Sequence, residues 1–249
     1  MIVELLRKFR VGTVVLALAV ALAAALAVLP ARWLLWLMPS DAPITVVEAS
    51  GTLWSGTAWI ALGSPQSRRM LTEPVQWRWN GLSVDVRHPY LRGPVRLSVG
   101  LGGVAVSAQQ ATLPAAVLAG LGTPWNTMSP GGQIEVQWRA FTAGTLAQGP
   151  LADIYWRNAS SALAPIAPIG DYRLRLEGSG RNVKVTLSTE KGVLQLTGQG
   201  EWTGRRLNFQ GRAKASDKAS DTEQAALTGL LTAIGPERDD GHAFGTGRM

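Results

Sequence analysis

From residue 44 onward, apolar and polar side chains alternate over short runs broken by glycine turns, which predicts β-strands with one buried face. The clearest run is 171–215. Tyr172, Leu174 and Leu176 alternate with Arg173, Arg175 and Glu177, and Gly178-Ser179-Gly180 turns the chain. Val183, Val185 and Leu187 alternate with Lys184, Thr186 and Ser188, and Lys191-Gly192 turns it again. Leu194, Leu196, Gly198, Gly200 and Trp202 share a face. Thr203-Gly204 turns, and Leu207, Phe209, Gly211 and Ala213 complete the meander. The first half is less regular. Residues 44–53 and 57–62 read as strands around Trp54-Ser55-Gly56. Val75, Trp77 and Trp79 point away from Gln76, Arg78 and Asn80, and Val95, Leu97, Val99 and Leu101 form another apolar face. Ile134, Val136 and Trp138 form one more, and 152–156 reads as a strand.

Three segments break this period. Residues 114–120, opening on proline and ending at glycine, predict a short helix. Residues 222–234 place Ala226, Leu227, Leu230, Leu231 and Ile234 on one helical face, with Asp221 or Thr222 as cap and Gly235-Pro236 as stop. Residues 11–29 form an uncharged apolar run long enough for a transmembrane helix. Arg7, Lys8 and Arg10 precede it, which places the N-terminus in the cytoplasm and the rest of the chain outside. The expected anchor uses Val11, Val15, Leu18, Leu22, Leu26 and Leu29, with Trp33 and Trp36 as an interfacial belt. A cleaved signal peptide ending near Ala25-Leu26-Ala27 is the alternative. The expected fold class is mainly β. One N-terminal transmembrane helix leads into a twisted antiparallel sheet domain, with two short helices packed on its apolar face. The expected division is 1–10 cytoplasmic, 11–29 transmembrane, 30–43 juxtamembrane linker, 44–235 exported β-rich domain and 236–249 disordered tail. A faint echo between Gly51–Gly56 and Gly200–Gly204 suggests a two-fold repeat whose halves meet near 130–150.

Composition narrows the function. The net charge is +7, but Arg68-Arg69 and Arg205-Arg206 are the only adjacent basic pairs beyond the N-terminus, so no basic stripe points to nucleic acid. The absence of cysteine excludes disulfides, thiol nucleophiles and cysteine metal sites. Two histidines, His88 in a turn and His242 in the tail, make no metal cluster. No nucleophile elbow, phosphate loop or dinucleotide fingerprint occurs. Ser188–Lys191 matches S-x-x-K but falls at a hairpin tip without the partner motifs. The carboxylates Glu48, Asp85, Glu135, Asp153, Asp171 and Glu177 stand singly. No enzyme, no cofactor and no small-molecule ligand is expected. Trp54, Trp77, Trp79, Trp138, Trp202 and Phe209 are expected as core packing mass, with Gly198, Gly200 and Gly211 leaving room for an indole across the neighbouring strand. A glycan-binding platform would instead need exposed tryptophans.

The motif order carries a resemblance. G-x-L-W-S-G-x-A from Gly51 is followed by Gln76-Trp-Arg-Trp79, Leu113-Pro114, G-D-Y-R-L from Gly170 and G-x-L-x-L-x-G-x-G-x-W ending at Trp202. L-x-F-x-G-x-A (207–213), Leu230-Leu231 and Gly235 complete it. This order resembles the N protein family of the type II secretion system, the general secretion pathway of Gram-negative bacteria. The resemblance implies an inner-membrane protein with a periplasmic β domain and an accessory role in exporting folded proteins across the outer membrane. It implies the inner-membrane platform and the outer-membrane secretin as partners, and no catalytic residues. Loops 63–73 and 158–170, with Arg68, Arg69 and Ile166, are the candidate partner contacts. The alternative is a periplasmic carrier of lipid or another hydrophobic ligand, held in an apolar sheet groove. Helices covering the apolar face favour the first reading, and an open face favours the second.

Overall fold

The computed structural model describes residues 17–37, 42, 44–63, 68–122, 125–143, 147–238 and 241–246. Its strands form two antiparallel sheets. The first holds β1 (Ile44–Gly51), β2 (Ser55–Leu62), β3 (Arg69–Met70), β4 (Val75–Asn80), β5 (Ser83–Arg87), β6 (Val95–Gly100), β7 (Gly103–Val106) and β10 (Phe141–Ala143). Its order is β1-β2-β4-β5-β6-β7-β10, with β3 paired to β2. The second holds β8 (Gln109–Pro114), β9 (Gly131–Trp138), β11 (Ala147–Ser160), β12 (Gly170–Gly180), β13 (Asn182–Gly192), β14 (Leu194–Trp202), β15 (Leu207–Ala215), β16 (Glu237–Arg238) and β17 (Gly241–Thr246). Its order is β16-β17-β15-β14-β13-β12-β11-β9-β8. The meander from β12 to β15 has the registers that the alternation predicts. Gly180 and Gly204 supply the positive φ (70° and 82°) that its tight turns need.

The sheets are joined along one seam. Arg92 N donates to Gln110 O at 2.9 Å and Thr112 N donates to Tyr90 O at 2.8 Å, so residues 90–92 of the first sheet pair with β8 of the second. β10 pairs with β7 of the first sheet, whereas its chain neighbours β9 and β11 pair with each other in the second. Neither sheet is therefore built from one continuous stretch of chain.

The main core lies at one end of the second sheet. A single amphipathic helix, α1 (Asp221–Ile234), closes it. Ser220 caps the helix and forms a reciprocal capping box with Glu223. Leu227 and Leu230 of α1 are fully buried against Ile169, Tyr172, Leu194 and Ala213. Small Ala213 and Ala159 let the helix and the 161–169 segment approach the sheet closely. The Tyr172 hydroxyl donates to Leu194 O at 3.0 Å, and burial pushes its pKa up, so it stays a donor.

A carboxylate fixes the bulge beside this core. β11 shifts register between Trp156 and Ala159, and Asn158 takes a positive φ of 49° there. The N–H freed by the bulge donates to Asp171 Oδ1 at 2.7 Å. Asp171 is buried and also meets Lys191 (3.3 Å) and Arg157 (3.7 Å). Burial alone would raise its pKa. The Asn158 N–H, Lys191 and Arg157 outweigh that and hold it below the usual carboxylate range. Asp171→Ala is expected to destabilise the fold by about 1–3 kcal/mol, because it strands the bulge N–H. The folded carboxyl binds its proton at lower pH than the unfolded one. Its contribution is therefore complete above the ordinary aspartate pKa of about 4 and fades as pH falls through the lowered folded value. The gap between the urea midpoints of the parent and Asp171→Ala should narrow as the pH is lowered below the ordinary aspartate value of about 4; a gap independent of pH contradicts this role.

Four expectations are corrected. There are two sheets rather than one. α1 covers one end of the second sheet only, and the other short helix is a 3-10 helix, Ala115–Leu121, lying against β9, β2 and β3. The segment after Pro236, expected to be a disordered tail, carries β16 and β17, because Phe244 finds a glycine to lie over in β15. The fourth concerns the anchor. Val11 and Val15 lie outside the described residues. Residues 17–27 are helical, and the chain turns at Val28 before Pro30. Among the described residues no helix is long and apolar enough to cross a membrane. The transmembrane helix, and the single-pass inner-membrane location built on it, are overturned by that finding.

Candidate functional site: an uncovered apolar sheet face

Antiparallel partners point to the same face of a sheet. In the first sheet Trp77 pairs with Val86, and Val86 with Val95. Beside this row, Trp79 pairs with Val84, Val84 with Leu97, Leu97 with Val106, and Val106 with Phe141. A third row pairs Val99 with Val104 and Val104 with Ala143. Across β4–β7 and β10 this face is entirely apolar. The helical segments Ala31–Trp33 and Leu34–Leu37 lie along β1, and the 3-10 helix reaches β2 and β3. No helix of the described residues packs across β4–β7. Val95 is buried, Trp77, Trp79, Val84 and Leu97 are half-buried, and Val99, Val104 and Phe141 are exposed. A contiguous apolar surface of this kind marks a binding site.

The opposite face is polar. Arg78, Asp85 and Arg96 form one cross-strand row. Arg96 grips Asp85 with two hydrogen bonds, 2.8 and 3.2 Å, and Asn80 donates to it at 2.9 Å. The Arg96 hydrogen bond holds Asp85 below the usual carboxylate range. A cavity of about 400 Å³ on this side is lined by Thr57, Gln76, Arg78, Asp85 and Arg87. Among the described residues no group of three or more metal-ligating side chains could hold a metal ion.

The expected core aromatics divide. Trp77, Trp79, Trp138 and Phe209 are half-buried, and Trp54 and Trp202 are exposed. None reaches the fully buried class. What they do instead is visible in their indole nitrogens. Trp54 Nε1 donates to Leu26 O (2.7 Å), Trp77 Nε1 to Leu53 O (2.9 Å) and Trp138 Nε1 to Ser107 O (2.9 Å). Trp156, which the sequence reading did not single out, donates to Gly131 O at 2.8 Å. Trp156 also stacks edgewise on Trp125 and tilts against Tyr172, with centroids 6.3 and 5.8 Å away. These indoles pin distant chain segments through one polar atom while covering apolar surface. Over Gly198, Gly200 and Gly211 the rings are phenylalanines, Phe209 over the first two and Phe244 over Gly211, whereas in the first sheet the Trp77 indole lies over Gly56.

The anchor and contact candidates are also scattered. Leu18, Leu22, Leu26, Trp33 and Trp36 are exposed, and Leu29 is half-buried. Arg69 is exposed in β3, Arg68 donates to Ala42 O at 3.5 Å, and Ile166 is half-buried against the α1 core.

Comparison with protein-family models matches residues 42–244 to the model described as type II secretion system (T2SS), protein N. No curated protein and no solved structure matches the chain.

Proposed function

The chain belongs to the protein N family of the type II secretion system, and from that premise we propose how it serves the apparatus. It is a non-enzymatic component engaged in secretion-apparatus assembly and associates with other subunits of the system. The α1-capped end of the second sheet is the rigid part, and the uncovered apolar face of the first sheet is the docking part. That face receives an apolar surface of a neighbouring subunit, from the inner-membrane platform or the secretin, and so couples them during export of folded proteins. The single observation that supports this reading is the family match over residues 42–244; the contrast between the sheets, one apolar face closed at one end by α1 and the other with no helix of the described residues across it, says where docking would occur.

The same openness favours a second reading, in which the face holds acyl chains as a carrier would. One experiment separates the two. A photoreactive residue in place of Leu97 or Phe141 is activated in cells, and the captured species are identified. Crosslinks to secretion subunits are expected. Recovery of lipid alone transfers the conclusion to the carrier, and equal capture from exposed positions on the polar face, such as Arg78, removes both.

A further inference from the structure

Three successive hairpin turns of the first sheet, at 52–54, 81–82 and 101–102, lie side by side at one end. Trp79 N donates to Trp54 O (2.8 Å) and Val99 N donates to Leu82 O (3.0 Å), which fixes them as neighbours. Each turn carries a large apolar side chain in the open. Trp54 is 41% exposed, Leu82 77% and Leu101 fully exposed at 111%. Turns ordinarily take small or polar residues. Leu82 follows Gly81, and Leu101 sits between Gly100 and Gly102, so both protrude without neighbours to shelter them.

The N-terminal helix joins this end. Leu53 N donates to Leu29 O at 2.9 Å, Pro30 bridges to Thr52, and the Trp54 indole holds Leu26 O. Residues 17–27 therefore leave the molecule beside the turns, with Leu18, Val20, Leu22 and Leu26 exposed. The charge distribution follows the same axis. At the turn-bearing end, residues 17–31, 49–59, 79–84 and 97–106 contain no Asp, Glu, Lys or Arg. The other end of the strands carries Arg69, Glu73, Arg87, His88 and Arg92.

We propose that this turn-bearing end of the first sheet seats on the surface of a lipid bilayer, at interfacial depth, with Trp54, Leu82 and Leu101 in the lipid. Separate protruding tips offer no groove for a protein segment, whereas a fluid bilayer accommodates any spacing of them. The uncharged end meets the apolar zone and the charged end stays in water. Depth is limited by the turns themselves, whose unpaired backbone groups must remain within reach of water and headgroups. The Trp54 indole has its nitrogen satisfied, and its ring, edge-on to Trp79 at 5.8 Å, keeps its outer part in the open, which suits the interface. This surface is distinct from the face across β4–β7 and does not depend on what docks there.

The absence of cysteine makes the test clean. Leu82→Cys, Leu101→Cys and, at the far end, Glu73→Cys are each labelled with an environment-sensitive fluorophore in the full chain. The labelled proteins are mixed with phosphatidylethanolamine–phosphatidylglycerol vesicles. Fluorescence should rise several-fold at 82 and 101, be quenched best by nitroxides near the headgroup, and stay unchanged at 73. No rise at the tips, or an equal rise at 73, overturns the proposal. So does a rise that appears with protein concentration alone, which would show that a second copy covers the tips. Stronger quenching by nitroxides at the chain ends overturns the shallow seating.

Discussion

Leu230→Ala is expected to lower the unfolding free energy by about 2–5 kcal/mol, the range for emptying a fully buried leucine site. Leu230 is 0% exposed, as is Leu227 one turn earlier on α1. Their neighbours come from distant parts of the chain: Ile169 from the 161–169 segment, Tyr172 from β12, Leu194 from β14 and Ala213 from β15. Backbone bonds hold these partners, with Val193 N and Leu194 N both donating to Ile169 O (3.0 and 3.1 Å), so the site has little freedom to collapse. A site that cannot collapse stands toward the upper part of the range. Leu207→Ala supplies the contrast. Leu207 pairs with Trp202 beyond the reach of α1 and is 40% exposed, so its truncation should change stability by less than about 1 kcal/mol. Urea unfolding followed by tryptophan emission reads both variants, since Trp156 packs against the α1 core. Equal shifts for the two leucines would mean that the sheet is covered uniformly, and the closed-end, open-end division would fail.

How far the sequence reveals this architecture depends on whether a feature is local. Residues 171–215 show their strands plainly, because each apolar face has a two-residue period and each turn has its glycine. α1 shows its buried stripe in the spacing 227, 230, 231 and 234. The strands β5, β7 and β10 are short, and β8 reads Gln-Gln-Ala-Thr-Leu-Pro, so alternation over three to six residues carries too little signal to separate strand from loop. The division into two sheets is a matter of pairing. Phe141–Ala143 could continue β9, yet its partner is β7, more than thirty residues earlier, and no periodicity records a partner. The apolar run at 11–29 shows the limit from the other side. Hydropathy registers its composition but is blind to the turn at Val28 and to the Trp54 and Leu53 contacts that tie the segment to the first sheet.

Tryptophans present the same difficulty at the scale of one residue. Apolar area argues for the interior, while an indole nitrogen argues for a place where a carbonyl is within reach. At Trp77 and Trp138 the second requirement puts the ring at a chain crossing, half-covered. The uncovered face is legible only in part. Its residues are visible as apolar positions, but that no helix of the described residues lies across them follows from where α1 packs, which is decided by the second sheet.

Gly211→Val is the second large effect, because it acts on the strand that the sequence pattern presents as a tail. β14, β15 and β17 align Gly198, Gly211 and Phe244 in one cross-strand row. The Phe244 ring lies directly over Gly211, and a Cβ there would stand 2.6 Å from Cε2 and 2.8 Å from Cε1, well inside contact distance. Phe209 covers Gly198 in the same way, 2.6 Å from a Cβ at that position, and the two rings sit 6.1 Å apart. Valine at 211 has no strained backbone to fear and suits a strand, so its effect isolates the ring contact. The ring must leave, and β17 has little else of comparable size with which to hold β15. We expect a loss of about 1–3 kcal/mol, with amide exchange at 243–245 rising to the level of an unpaired edge. The decisive control is Phe244→Ala. With the ring gone, valine fills the vacated space, and Gly211→Val should then be nearly neutral, a coupling beyond about 0.5 kcal/mol in the double-mutant cycle. If the two substitutions add instead, the glycine is not a seat for the ring, and β17 is held by its backbone ladder alone.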